Sequence, residues 1–293
     1  MERQLWKMIV DLILTVHKSK SSYRCRYSSV LILKVWFWSV INDRPVSWAC
    51  ERRNWSIWDR RMKLPSNATM SRRLRCDQVK QLLAEIEERV LCQEKNGTVF
   101  WSIDGKPLTV SGCSKDPHAT YGRAAGGKAK GYKIHAIVGA NGCVSQWRLA
   151  PMSKDERVMA KRMFKRLNIA GYIFADGNYD SNPLHRCCDD YGNAQLISPR
   201  RGGPGKALGH RKQTAGRLRS KEILEDEMSD FGTQMMIDRV AIERFFANLT
   251  NCATGLTCLP SWVRTYRRVH RWVQAKMIIN KAKSHDDLLT CAS

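Results

Sequence analysis

Two short apolar runs most constrain what this chain can fold into. Val99-Phe100-Trp101-Ser102-Ile103-Asp104 and Gly171-Tyr172-Ile173-Phe174-Ala175-Asp176 are compact stretches rich in β-branched and aromatic residues. Each closes on an aspartate followed by glycine. Runs of this length and composition read as strands. Between them, Tyr132 to Val138 reads as a second strand, Asn141-Gly142 as a hairpin turn, and Val144 to Leu149 as a third strand antiparallel to the second. Ser153 to Leu167 is predicted to be a helix, with Val158, Met159, Met163, Phe164 and Leu167 on one face. The run from Gly171 to Ala175 is then a fourth strand, Pro183 to Tyr191 a helix, and Ala194 to Ile197 a fifth strand. Ile237 to Leu249 reads as a closing helix with Glu243 at its centre. Gly105 to Lys130, rich in Gly, Lys and Ser, reads as a loop.

Before Asn96-Gly97 the texture differs. Leu5, Met8, Ile9, Leu12 and Val16 recur at helical spacing, Val30 to Trp38 reads as a buried helix, and Gln78 to Leu91 as a further helix with an acidic face. Residues 1–95 are therefore expected to form a helical N-terminal DNA-binding region and residues 98–283 a second, catalytic domain. After Pro65-Ser66-Asn67-Ala68-Thr69, a capping signal, comes Met70-Ser71-Arg72-Arg73-Leu74-Arg75. Arg72 and Arg73 belong either to a DNA recognition helix or to an ordinary solvated basic helix end. Trp262 to Ala282 reads as a last helix carrying Arg264, Arg267, Arg268 and Arg271.

Charge narrows the choice of partner. The 293 residues hold 50 Lys and Arg against 27 Asp and Glu, a formal net charge of +23. Such an excess favours a polyanion. Double-stranded DNA leads; an anionic membrane lacks the long basic amphipathic helix that would support it. Arg200 to Lys221 carries eight basic residues and no acidic one, and reads as a flexible basic loop; its Arg200, Arg201, Arg211 and Lys212 are candidate phosphate contacts. The 11 cysteines form no C-x-x-C pair, which argues against a disulfide framework or a zinc knuckle. No signal peptide is read, and Val30 to Ile41 is too short to span a bilayer. A cytoplasmic protein is expected.

The order of three strands, helix, strand, helix, strand and closing helix is that of a ribonuclease H-like α/β domain, a mixed five-stranded sheet flanked by helices. In that fold the first and fourth strands lie side by side, so Asp104 and Asp176 would be neighbours and a helix across the sheet could bring Glu243 to them. Three carboxylates from separate elements suit phosphodiester chemistry, in which two divalent ions about 4 Å apart activate the attacking oxygen and stabilise the leaving one. Taken singly each is weak. Asp104 and Asp176 also fit as turn residues before glycine, and Glu243 as a surface partner of Arg239. Against the surface reading, Ile242, Phe245, Phe246 and Leu249 surround Glu243 with apolar bulk. His135 reads as a packed strand residue rather than a ligand.

Four motifs then carry a resemblance. Ser102-Ile103-Asp104-Gly105 resembles the first-aspartate motif of the IS4/IS5-type DDE transposases of insertion sequences. Gly126-Gly127-Lys128 through Lys133-Ile134-His135 is similar to the approach to their second strand, and Ala175-Asp176-Gly177-Asn178-Tyr179-Asp180-Ser181 to their second-aspartate motif. Arg239-Val240-Ala241-Ile242-Glu243-Arg244-Phe245-Phe246 resembles their arginine-then-glutamate block. The resemblance implies an enzyme that cuts element ends and joins them to target DNA. It implies Asp104, Asp176 and Glu243 as metal ligands for Mg²⁺ or Mn²⁺, two ions in all, and a homodimer in the synaptic complex. By the same pattern Arg239 orients Glu243 or holds a phosphate, and Asp180 caps the helix beginning near Ser181. Arg267 and Arg268 of the last helix would hold DNA. Met236 and Thr250 depart from the family pattern, which often has a tyrosine and a basic residue there. A related endonuclease without strand transfer and an inactive DNA-binding copy are the alternatives.

Overall fold

The computed structural model describes residues 2–17, 25–56, 62–91, 97–167, 169–191, 193–201, 212–226, 230–251 and 255–291. In chain order the helices are α1 (Glu2–Val16), α2 (Ser29–Ile41), α3 (Val46–Ala49), α4 (Asn67–Arg73) and α5 (Asp77–Leu91). The strands β1 (Phe100–Thr109), β2 (Thr120–Ala124), β3 (Gly127–Gly139) and β4 (Val144–Pro151) follow. Then come α6 (Glu156–Phe164), β5 (Ala170–Phe174), α7 (Asn182–Tyr191), β6 (Asn193–Ile197), α8 (Ala215–Glu225), α9 (Phe231–Asp238), α10 (Val240–Asn251) and α11 (Tyr266–Cys291). The chain forms two compact units. One holds residues 1–91, 249–256 and 260–293; the other holds 92–248 and 257–259.

The second unit is a mixed sheet covered by helices. Among the described residues six strands pair in the order β2-β3-β1-β5-β6, and β4 pairs with β3. The thirteen-residue β3 serves two partners along one edge: Gly127 to Gly131 pairs with β2 and Tyr132 to Val138 with β4. Its other edge takes β1, antiparallel. β1 and β5 run parallel, with Phe100, Trp101 and Ser102 opposite Tyr172, Ile173 and Phe174, so the expected adjacency of these two strands is present.

Alternation along these strands sorts the side chains onto two faces. Trp101, Ile103, Ile137 and Ile173 pack with Ala160, Met163 and Phe164 of α6 and Leu184, Cys187 and Cys188 of α7. On the other face Phe174 and Ile197 meet Phe100, Tyr172, Ile223, Leu224 and Met236, the last three from α8 and α9. Burying the Trp101, Phe164, Ile173 and Leu196 side chains contributes roughly 1.5–3 kcal/mol apiece. Close passage demands glycine at two positions. Gly171 has φ +102°, and a Cβ there would lie 2.0 Å from the Val99 carbonyl oxygen; one at Gly131 would lie 2.1 Å from that of Leu108.

The structure corrects several expectations here. The sheet has six strands, not five, because Thr120 to Ala124 is a strand and β1 runs on to Thr109. Gly105, Lys106 and Pro107 look like loop residues, yet the ladder to β3 continues through them as far as Thr109–Gly131. Asp104 therefore lies in mid-strand. The basic segment 200–221 is not one loop: Thr214 precedes α8, which takes up Arg217 to Lys221, while 202–211 lie outside the described residues. The single helix expected over 237–249 is interrupted, with α9 ending at Asp238, Arg239 as its C-cap, and α10 starting at Val240.

The first unit is helical. α2 buries Ile32, Leu33, Val35, Trp36, Phe37, Val40 and Ile41, which is why its sequence is apolar on nearly every side. Trp6 meets Trp38 and Trp55 edge-on at 5.2 and 5.6 Å, and Trp36 meets Trp272 at 5.9 Å. α11 packs against α1, α2 and α5, and Gln274 donates to Glu87 at 2.7 Å. Ser66 caps α4 by accepting from the Thr69 N–H at 3.3 Å. Eight cysteines among the described residues are free thiols, and no described helix is long and apolar enough to cross a membrane.

Candidate active site

Asp104 shares the strand parity of Phe100 and Ser102, and its carboxylate accepts from the Gly105 N–H at 2.7 Å. Asp176 follows β5 by two residues and stays fixed there. The Ala175 N–H donates to the Ile197 carbonyl at 3.0 Å, and Ser198 Oγ donates to the Asp176 carbonyl at 2.7 Å. The Asp176 carboxylate accepts from the Asn178 N–H at 2.9 Å and from its side-chain amide at 3.0 Å. It thus caps a short 3₁₀ turn at Gly177–Tyr179.

The two aspartates feel one another. Burial pushes the Asp104 carboxyl up to about 6, the Gly105 N–H counters this, the charges of Asp176 and Glu156 add to the rise, and Arg239 opposes it. Tyr179, buried with its hydroxyl unpartnered among the described residues, is pushed well above the usual phenol range. The causes are its burial and the charges of Glu156, Asp104, Asp176 and Asp155. An electronegative cluster results, with Asp104 and Asp176 at its centre.

Glu243 stands differently. It is exposed, and Arg239 Nη2 donates to it at 2.9 Å, four residues back along the chain. Ile242, Phe246 and Leu249 do face inward, but Glu243 lies about 100° around the helix from Ile242. The argument from surrounding apolar bulk is therefore overturned. Arg239, the partner of Glu243, is nevertheless within electrostatic reach of Asp104. Among the described residues no three His, Cys, Asp or Glu side chains converge closely enough to hold a metal ion.

Asp180 is not a helix cap. Its carboxylate is buried and takes both Nε and Nη2 of Arg217 at 2.6 Å, plus the Arg201 N–H at 3.2 Å. Burial alone would raise its pKa. His185, Arg217 and Arg201 outweigh that and hold the carboxyl well below the usual range. A carboxylate so engaged is not free for a metal, which separates it from Asp176. His135 is a packed strand residue as expected: it is buried, neither ring nitrogen has a partner among the described residues, and burial together with Lys133 pushes it down to about 4.

Glu156 escaped the sequence reading. It opens α6, Lys133 Nζ bonds it at 2.5 Å, and its charge reaches both Asp104 and Tyr179. Asp155-Glu156 looks like an ordinary N-cap and first turn, and Asp155 does cap α6 through the Arg157 N–H at 2.8 Å. No local signal ties position 156 to position 104.

The candidate DNA contacts divide. Arg72 is exposed, but Arg73 turns inward to the Tyr27 carbonyl and Ser29 at 3.3 and 3.5 Å. Arg200 forks onto Glu225. The Arg201 and Lys212 side chains are exposed, and Arg211 lies outside the described residues. Arg267 and Arg268 are exposed on the first turn of α11.

One aspartate within a strand and a second just past the end of the adjacent parallel strand, crowded by like charge, suit the class of metal-dependent phosphoryl-transfer domains. The sequence profile of the family described as "Transposase DDE domain" matches residues 95–278. The chain belongs to that family: it is a DDE-type transposase, a metal-dependent nuclease and transferase. No curated protein matches it closely enough to add to that assignment.

Proposed function

We propose that this chain is the transposase of an insertion sequence, and that Asp104, Asp176 and Glu243 hold the divalent ions with which it cuts element ends and joins them to target DNA. The carrying observation is the Asp104 carboxyl, raised to about 6 by burial and by facing carboxylates. Mutually repelling oxygen donors suit a hard cation, which relieves the repulsion that otherwise favours a proton. Divalent ions such as Mg²⁺ or Mn²⁺, two by this reading, would lower the pKa of the attacking water or 3′-hydroxyl and neutralise the leaving oxygen.

The protein's own groups do the rest. Asp104 and Asp176 are held by the two central strands, and this fixes their spacing before substrate arrives. Arg239 holds Glu243 in reserve. A DNA phosphate at Arg239 would compete for the guanidinium and release Glu243 toward the aspartates. The ribonuclease H-like description fits the mixed sheet, and the helical first unit, through Arg72, is the candidate reader of element ends. Arg201 and Lys212 are candidate backbone contacts. Two ends must be joined together, which calls for a homodimer at the synapse.

The test uses purified protein, Mg²⁺ or Mn²⁺, and a labelled duplex bearing the inverted repeats that flank the gene. Joined products uphold transposition. Cleavage without joining reduces the activity to that of a related endonuclease. Identical behaviour of wild type and Glu243→Gln overturns the role of Glu243, and absence of any product from wild type overturns the active-enzyme reading in favour of an inactive DNA-binding copy.

A further inference from the structure

The first unit contains a cavity of about 580 Å³ whose wall holds Arg44, Arg75, Arg267, Arg268 and Arg271 and, among the described residues, no acidic one. Arg44 follows α2, Arg75 follows α4, and the other three occupy the first two turns of α11. None of the five has a carboxylate partner among the described residues. Asp43, adjacent in sequence to Arg44, is engaged by Lys276 at 2.5 Å. Arg271 is pushed down to about 10 by its burial and by the charges of Arg268 and Arg75. Gathering cations without counter-ions works against folding, so the arrangement calls for a ligand that repays it.

A second, independent feature points the same way. Trp36 and Trp272 both line this cavity. They are only 6% and 1% exposed, and neither indole N–H has an acceptor among the described residues. A buried donor left without an acceptor destabilises the fold that holds it. Two such donors and five guanidiniums offer hydrogen bonds and positive charge, and the remaining polar side chains of the wall, Ser47, Asn67, Ser71 and Thr265, are neutral. An oxygen-rich anion satisfies both at once.

We propose that this cavity is a phosphodiester-binding pocket that seats consecutive phosphates of a DNA strand, built entirely from the helical unit and closed by the start of α11. The proposal rests on the DNA-acting reading above and adds to it a site that uses neither the aspartates nor Glu243. Five cations exceed what one phosphate neutralises, and the volume exceeds one phosphate, so a polymer is favoured over a free ion. Arg267 and Arg268 at the exposed rim receive the strand, with Arg271 and the indoles deeper.

The experiment titrates the full chain against a labelled 30-base-pair duplex across a salt series, with metal omitted. Arg267→Gln/Arg268→Gln changes two exposed side chains and should leave the fold intact. It is expected to weaken binding at least tenfold and to lower the salt slope by about two, one per lost phosphate contact. Trp272→Phe, which keeps the ring and removes the N–H, is expected to weaken binding several-fold without changing that slope. Arg3→Gln/Lys7→Gln, an equal charge change on exposed α1 positions, should do neither. Equal losses in the α1 and α11 variants would show a diffuse field and overturn the pocket. Wild-type affinity in the Arg267/Arg268 variant would overturn it too, even if inorganic phosphate alone raises the melting temperature of wild type. Failure of wild type to bind the duplex at all would instead overturn the DNA-acting reading on which the pocket rests.

Discussion

Asp104 shows what a buried, crowded carboxylate costs the protein that carries it. Its carboxyl sits at about 6 against 3.8 when unperturbed, so at pH 7.5 it is held ionised against burial and the charges of Asp176 and Glu156. The raised folded pKa means that this group favours the native state most at low pH, and the benefit is lost as pH rises through 6. Asp104→Asn is therefore expected to abolish strand cleavage while stabilising the metal-free protein at pH 7.5 by up to about 3 kcal/mol, with little change near pH 4. Calorimetric melting at the two pH values checks this, and a lower melting temperature at pH 7.5 would refute it. His135 works in the opposite sense. Its folded pKa of about 4 lies below the 6.5 of an ordinary histidine, so the unfolded chain binds more protons between those values and stability falls as pH drops from 6.5 to 4. His135→Leu leaves no buried ring nitrogen to charge. Urea unfolding of the variant is expected to lose that part of the slope, worth up to about 3 kcal/mol across the window.

Between elements, a buried ion pair in the second unit joins the turn after β5 to α8 through Asp180 and Arg217, whose side chains are 1% and 14% exposed. Removing either partner strands a buried charge. Asp180→Asn and Arg217→Met are each expected to cost about 3–5 kcal/mol, and the double variant clearly less than their sum. A double-mutant cycle by chemical denaturation measures this, and simple additivity would show the pair to be uncoupled. Because the Asp180 carboxyl is held low, its contribution persists above pH 4 and disappears only on further acidification. At this scale the sequence was legible where the signal was local. The apolar runs at Val99 and Gly171, the Asn141-Gly142 turn and the Ser66 cap all appear as elements or caps. It was not legible where pairing came from afar. β2 (Thr-Tyr-Gly-Arg-Ala) and the outer half of β1 (Gly-Lys-Pro-Leu-Thr) carry glycine and proline, show no clean apolar alternation and hold their shape through the ladder to β3, so tertiary pairing overrides their weak propensity. The candidate site follows the same division: Asp104 within one apolar strand and Asp176 just after another were readable as candidates. The Glu156 charge that reaches them and the outward turn of Glu243 depend on packing and on helix phase, which the residue pattern around each had suggested wrongly or not at all.

For the whole molecule, the chain's two ends matter together. The family match covers residues 95–278 and so includes the first half of α11, yet α11 folds with the N-terminal helices. Its buried face includes Val269, Trp272, Val273, Met277, Ile278 and Ile279. At roughly 1.5–3 kcal/mol for each fully buried side chain, those six contribute an amount comparable with the 5–15 kcal/mol net stability of a typical domain. Lys276 and Gln274 add bonds to Asp43 and Glu87. A chain ending at residue 264 therefore lacks a structural member of the first unit as well as three arginines of its cavity. Such a truncation is expected to lose the helical signal of residues 2–91 and the cooperative melt of that unit, in addition to DNA affinity. Arg267→Gln/Arg268→Gln, by contrast, is expected to lose affinity alone. Far-ultraviolet circular dichroism of both proteins decides between them. A truncated chain whose N-terminal helices still melt cooperatively at the wild-type temperature would show that α11 covers that unit without holding it together.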